Sequence, residues 1–358
     1  MERRKRVYYI DGIRFFAVLL VVISHFNVGL EQYQITIGGT HWIIPSIFAN
    51  GDFGTLGVSL FFIISGFSLY YNYENDFNVR TYFKKRFLSI YPQFWCSYIL
   101  VFCYLFFNYK EFWFEVGESI PTKRFLLTIL GMDGYFLYLG KNFYLIGEWF
   151  LGCIILIYLI FPLLRVSVKR HPLITGGIAT IIYILVVIYN PFKIGINRNL
   201  LIQGYSFLLG MLLVRCIFKV VNRNVKLITA VICILIFIIS INFRVENFGR
   251  FMITISGISL FVFMSLLFET FNVWKASFVK IVNKYSYDIF LLHHVMISVC
   301  LRYFRGHEYS VYEGIVLIFV YIVMLSIVIK IEIFIKNKIC TYISKYKNSF
   351  GAGASEIL

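Results

Sequence analysis

The chain has 358 residues, of which 59% are hydrophobic, 20% aromatic and only 15% charged, too few charges to cover a soluble domain. Its net charge of +16 would suit nucleic acid, but the basic residues fall in short stretches between apolar runs with no aromatic-interleaved basic domain, so membrane topology explains them better. Seven cysteines, none in a CxxC pair, point to neither a disulfide framework nor a zinc site and read as small apolar residues on helices.

Ten apolar runs, each of about 17 to 25 residues, are long enough to cross a hydrocarbon core as helices. They lie at approximately 7–30, 54–73, 87–108, 143–164, 173–189, 200–218, 227–242, 251–270, 285–301 and 312–335. The start, MERRKRVYYIDG, is basic like a signal sequence, but the run after it has no A-x-A-like cleavage site and carries ionisable residues, so it reads as a retained first span. With the N-terminus inside, the loops on that side hold more than twice as many Lys and Arg as the loops opposite, the bias expected of cytoplasmic loops. The expected fold is therefore all-α: a polytopic membrane protein with about ten transmembrane helices and both termini cytoplasmic. One transmembrane domain covers 1–342, and 343–358, ending in the small and polar GAGASEIL, is expected to be a disordered cytoplasmic tail.

The first span, IDGIRFFAVLLVVISH at 10–25, carries Asp11, Arg14 and His25. An ionisable group in a spanning helix is expensive unless it is paired or faces a polar cavity. The eleven steps from Arg14 to His25 turn the helix through roughly three full turns and raise it by ~16 Å, so the two side chains share a face. Asp11 stands three residues before Arg14, within pairing reach on a helix. Two outside segments, 31–53 and 109–142, the second with Glu111, Glu115, Glu118 and Asp133, are long enough to form a lid or a substrate-facing surface. Pro92 and Pro162 read as helix ends or kinks.

The Arg14-to-His25 spacing resembles the mark of the acyltransferase 3 family, membrane proteins that O-acylate bacterial cell-surface and secreted glycans. The resemblance continues with GVSLFFIISGF at 57–67, KKRFLSIYPQFW at 84–95, EWFLGCIILIYLIFPLL at 148–164 and YSYDIFLLHH at 285–294, in order along most of the chain. Two motifs depart from the family pattern. Ser89 stands where many members repeat an Arg, and Ile154 and Ile155 stand where many carry Glu. Glu148, just before Trp149, is a nearby carboxylate that could compensate.

The resemblance implies transfer of an acyl group, acetyl in the first instance, from cytoplasmic acyl-CoA (acetyl-CoA) to a glycan hydroxyl, with no metal. Histidine suits removal of the hydroxyl proton near neutral pH, which makes His25 the candidate base. Arg14, paired with Asp11, together with Lys84, Lys85, Arg86 and Ser65, would hold the coenzyme A side; a guanidinium grips phosphate in a bidentate manner. The plainer reading of the Lys-Lys-Arg run is positive-inside topology, that of SGF at 65–67 close helix packing, and that of Trp149 and Tyr158 core aromatics. Trp149, Glu148, His293 and His294 are the candidates on the acceptor side. Adjacent helical positions diverge by about 100°, so one of His293 and His294 is expected to line the pocket while the other packs. The partners expected are a glycan or lipid-linked saccharide, membrane lipids and, as an open alternative, a second copy in a homo-oligomer, but no nucleic acid. The rival reading is a transporter or exporter of a polysaccharide or its lipid-linked precursor, which buried charges would also serve.

Overall fold

The computed structural model describes residues 7–108, 120–217, 222–246, 248–271 and 277–353, with backbone alone at 216–217, 339–340 and 342–353. Glu111, Glu115 and Glu118 lie outside the described residues. In chain order the helices are α1 (Tyr8–Gln32), α2 (Phe53–Tyr73), α3 (Val79–Asn108), α4 (Phe125–Ile129), α5 (Glu148–Arg170) and α6 (Pro172–Tyr189). They continue with α7 (Leu200–Ile217), α8 (Arg223–Asn242), α9 (Gly249–Phe271), α10 (Ser277–Lys284), α11 (Ser286–Arg302) and α12 (Val311–Gly353).

Eight of these are long and apolar enough to cross a membrane: α1, α2, α3, α5, α6, α8, α9 and the first part of α12. The remaining two expected spans, at 200–218 and 285–301, are the shorter helices α7 and α11. Helix ends follow local chemistry more than hydropathy. The carboxylate of Asp52 caps α2 by accepting from the Thr55 amide at 2.9 Å, satisfying one of the orphan donors of a helix start. Helix α3 begins at Val79, a polar and basic turn and more before the expected 87, and α5 begins at Glu148, five residues after the expected 143. Pro92 and Pro162 sit inside α3 and α5 and end neither. Helix α12 runs on to Gly353, so the first part of the expected tail is helical.

The all-α expectation needs one small addition, since four two-residue strands lie in the connections. Of these, β1 (Thr36–Ile37) pairs in parallel with β4 (Glu308–Tyr309), tying the segment after α1 to the α11–α12 connection. The other two, β2 (Ile47–Phe48) and β3 (Gly51–Asp52), form an antiparallel pair just before α2.

Two hydrophobic cores divide the bundle. One is built from α2, α7, α9 and the first half of α1, with Ile13, Leu60, Phe67, Phe207 and Phe261 fully covered. The other joins α3, α11 and α12 to the second half of α1 through Phe26, Leu30, Phe94, Leu291 and Tyr321. Helix α5 faces both, giving Cys153, Ile157 and Phe161 to the first and Leu151 and Ile155 to the second. A seam therefore runs between the cores beside α1 and α5. At the periphery α8 buries only 11% of its apolar window against 67% for α2, leaving an apolar face suited to lipid.

Helices α2 and α7 approach each other closely. A Cβ added at Gly66 would overlap the backbone carbonyl of Phe207, and one at Gly210 the carbonyl of Ile63. Small residues at such crossings let backbones touch, which is how membrane helices associate without a hydrophobic drive between them. The packing reading of SGF thus holds for Gly66, while its neighbour Ser65 faces a cavity. Gly66→Ala is expected to destabilise the protein by about 1–3 kcal/mol, because a backbone carbonyl cannot move aside as a side chain can. A melting temperature in detergent unchanged from wild type would overturn this account of the α2–α7 contact.

Candidate active site

Helix α1 lays Asp11, Arg14 and His25 along the seam. Arg14 pairs with Asp11 at 3.5 Å, and the backbone carbonyl of Asp11 accepts from the side-chain amide of Asn283 at 2.6 Å, which ties α10 to the start of α1. Arg14 opens into a cavity of about 210 Å³ that extends along α1 to His25. Ser65 from α2, Arg86 from α3, Trp149 and Tyr158 from α5, and His293 from α11 also line it. The stripe predicted on α1 is thus one wall of a single cavity.

Arg86 stands 5.6 Å from the centre of the Tyr158 ring, and its Nε is buried without a hydrogen-bond partner. A guanidinium N–H left in that state is costly unless a ligand satisfies it. Lys84 and Lys85 do not reach the cavity: both are exposed, because Tyr82, Arg86 and Ile90 form the inward face of α3 at four-residue spacing and positions 84 and 85 fall off it. Of the positions that depart from the family pattern, Ser89 and Ile154 line the cavity, while Ile155 packs in the second core.

At the other end three imidazole rings meet. The centre of the His25 ring lies 4.6 Å from that of His294 and 5.1 Å from that of His293, and the latter two are 5.7 Å apart. The expectation that one of the adjacent histidines packs away is corrected here. His25 projects from the facing helix toward the gap between the two positions, so both reach it. Their 100° divergence appears as a division between cavities instead. His293 lines the narrow cavity with Arg14, whereas His294 lines a separate one of about 670 Å³ with Arg198 and Arg302. Among the described residues no group of three or more His, Cys, Asp or Glu is arranged to hold a metal ion.

The tautomer of His293 follows from its neighbours. Its Nδ1 lies 2.9 Å from the carbonyl of Phe290 and 3.1 Å from that of Ile289, and a carbonyl only accepts, so Nδ1 carries the proton. Nε2 is then a lone pair, buried and without a partner. His294 turns its Nε2 to the carboxylate of Glu148 at 3.7 Å, and that same oxygen accepts from the hydroxyl of Tyr144 at 2.7 Å.

A third cavity, of about 770 Å³, opens beside the second and is walled by the 31–53 segment, including Glu31, His41, Trp42 and Asp52. His25 and Trp149 line all three cavities. Trp149 stacks against Phe62 at 6.4 Å and 27°, which fixes its ring where the cavities join. Tyr144 and Arg198 are functional candidates that pattern reading passed over. Both stand in coil or a short 3-10 turn, where no helical period announces which way a side chain points.

The loop before α5 presses on this centre. Gly134 lines the 670 Å³ cavity, and beside it the carboxylate of Asp133 is buried with neither oxygen hydrogen-bonded. Burial pushes the Asp133 carboxyl up from an ordinary 3.8 to about 6.

Buried charges that converge on one internal cavity, with two roomier cavities opening from its far end, define a multi-pass membrane protein with a chamber between its helices. The chain belongs to the acyltransferase 3 family: the model of its acyltransferase domain matches residues 7–331. No curated protein and no solved structure matches it. Membership makes acyl transfer to an acceptor the activity to be explained and favours it over the transport reading.

Because the folded protein prefers Asp133 protonated, the stability this provides is full below about pH 3.8 and is lost as pH rises through about 6. Asp133→Asn is accordingly expected to stabilise the protein by about 2 kcal/mol at pH 7.5 and to change it little at pH 4. Thermal melts of both proteins at the two pH values provide the check; an equal effect at both would refute it.

Proposed function

We propose that this protein takes an acyl group, acetyl in the first instance, from acyl-coenzyme A on the cytoplasmic side of a bacterial plasma membrane. It places that group on a hydroxyl of a cell-surface or lipid-linked glycan. The observation that carries the reading is the single cavity with Arg14 and Arg86 toward one end and His25 at the other, where the two wide cavities begin. On this reading α7 and α11 complete ten spans, both termini are cytoplasmic, and the Arg14 end is the inner one, as the loop charges favour.

Each part of the chain then has a task. Arg14, held by Asp11, and Arg86 with its unsatisfied Nε take the phosphates of the donor, Ser65 lies along its path, and Lys84 and Lys85 add only a general positive field. The narrow cavity suits the slender pantetheine arm, which can cover the ~16 Å from Arg14 to His25. The acceptor enters from the wide side, against Trp149, Glu148 and His294, while His293 lies beside His25 on the narrow side. His25 removes the hydroxyl proton as the oxygen attacks the thioester carbonyl; the new C–O bond replaces the C–S bond, and the thiolate leaves toward the inner end, where water protonates it.

Acetyl transfer is expected to fall at least about a hundredfold in His25→Ala. Arg14→Ala and Arg86→Ala should each raise the KM for acetyl-coenzyme A about tenfold, whereas Lys84→Ala with Lys85→Ala should change it less than about twofold. The measurement is radiolabelled acetyl incorporated into surface glycan by membranes given acetyl-coenzyme A. Wild-type incorporation by His25→Ala would end this reading.

A further inference from the structure

The carboxylate of Glu148 is held in an unusual way. Gly147 and Glu148 are successive residues in the left-handed region, at φ of 94° and 40°, and the second has no glycine's licence to be there. Such a backbone persists only where its surroundings enforce it, and it collects at functional sites. The enforcement is visible: a Cβ added at Gly134 would come within 2.5 Å of the carbonyl carbon of Glu148 and 2.9 Å of the amide nitrogen of Trp149. One loop is therefore pressed onto the turn that aims this side chain.

The aim is at His294. The Glu148 Oε1 is 3.7 Å from His294 Nε2 and is itself fixed by the Tyr144 hydroxyl. His294 in turn meets the His25 ring edge to face, at 4.6 Å and 71°. The other charged or titratable groups around His294 are His293 on its own helix, and Tyr33, Tyr104, Arg198 and Arg302 along the same cavity. Among these neighbours Glu148 is the carboxylate, so it is the group placed to orient the His294 ring.

We propose that Tyr144, Glu148 and His294 form a proton relay behind His25, with Glu148 and His294 acting as positioning residues. The inference rests on the reading of His25 as the base. The acceptor hydroxyl gives its proton to His25, His25 passes it to His294 across one bridging water or a small ring rotation, and His294 releases it to water in the 670 Å³ cavity. Glu148 orients His294 and offsets its positive charge while it holds the proton. The proton leaves by the wide cavity and the thiolate by the narrow one, so neither product retraces the other's path. His293 stays outside the relay because it lines the narrow cavity and not the 670 Å³ one into which the proton is released.

The test uses the full chain in membranes, with radiolabelled acetyl-coenzyme A as the probe and incorporation into glycan as the readout. Glu148→Gln should lower kcat about ten- to a hundredfold with the KM for acetyl-coenzyme A unchanged. It should also move the acid limb of the pH–rate profile to lower pH, because removing a carboxylate lowers the basicity of the imidazoles it faces. Glu148→Asp should restore part of both. His294→Gln should cost as much as Glu148→Gln, and the double variant no more than the worse single one, since the two act as one unit. Tyr144→Phe, which removes a single hydrogen bond, should show a smaller loss with the same sign and decides the matter if Glu148→Gln does not fold. A loss of kcat with an unmoved acid limb, no rescue by Asp, or multiplicative losses in the double variant would each overturn the relay. If His25→Ala is inactive while His294→Gln and Tyr144→Phe keep wild-type rates and profiles, the relay fails alone and His25 remains the base.

Discussion

An ionised side chain cannot be left bare in hydrocarbon, and the arrangement of this protein follows from that constraint. Arg14, Arg86 and the imidazoles of His25 and His293 all stand on largely apolar helices, and all open into one cavity along one seam. The seam exists because α1 and α5 each serve two cores and so cannot close onto either. The same constraint operates away from the seam. Between α3 and α12 the carboxylate of Glu332 accepts from Ser97, and Lys336 donates to Gln93, so buried charge there is met by polar partners in place of a cavity. Charge is thus met in two ways, by polar partners between α3 and α12 and by a cavity along the seam.

The adjacent histidines show how helical geometry can sort chemistry by side. Two neighbouring positions diverge by about 100°, too far for both to enter one small pocket but enough to send one ring into each of two cavities. His293 faces the narrow cavity with its proton committed to backbone carbonyls, while His294 faces the wide one with a carboxylate beside it. His25 touches both rings from the opposite helix. The narrow and the wide cavity are thus separated by a single residue step of α11.

What could be read from the sequence was what helical periodicity encodes. The shared face of Arg14 and His25 and the pairing of Asp11 with Arg14 rest on repeats of three to four residues, most span boundaries rest on the length of the apolar runs, and the structure keeps them. Lys84 and Lys85 were grouped with Arg86 because adjacency in a motif says nothing about which of three consecutive residues faces inward. The start of α5 escaped for a different reason: an apolar run at 143–147 looks helical, yet packing by the Gly134 loop holds residues 147 and 148 in the left-handed region and delays the helix. Tyr144 and Arg198 reach the site only through contacts made by coil, which no local pattern specifies.

On the proposed reading, the unequal cavities bear on how a thioester survives beside a wide entrance. The narrow cavity, about 210 Å³, has Val21, Val58, Phe61, Phe150 and Phe290 among its walls, while the two wide ones total several times that volume and are rimmed with charge. A chain-like donor fills the narrow cavity and leaves little room for water beside its acyl carbon, which limits hydrolysis before an acceptor arrives. His25 stands where that cavity meets the wide ones, so a proposed acceptor would reach it from the wide side. A residue larger than Ser65 or Ile154 would obstruct the donor's path, whereas changes at the 31–53 rim would alter which acceptors fit. On the proposed reading, then, the narrow cavity sets the donor and the loops around the wide cavities set the acceptor, so the two specificities can change independently around a fixed His25.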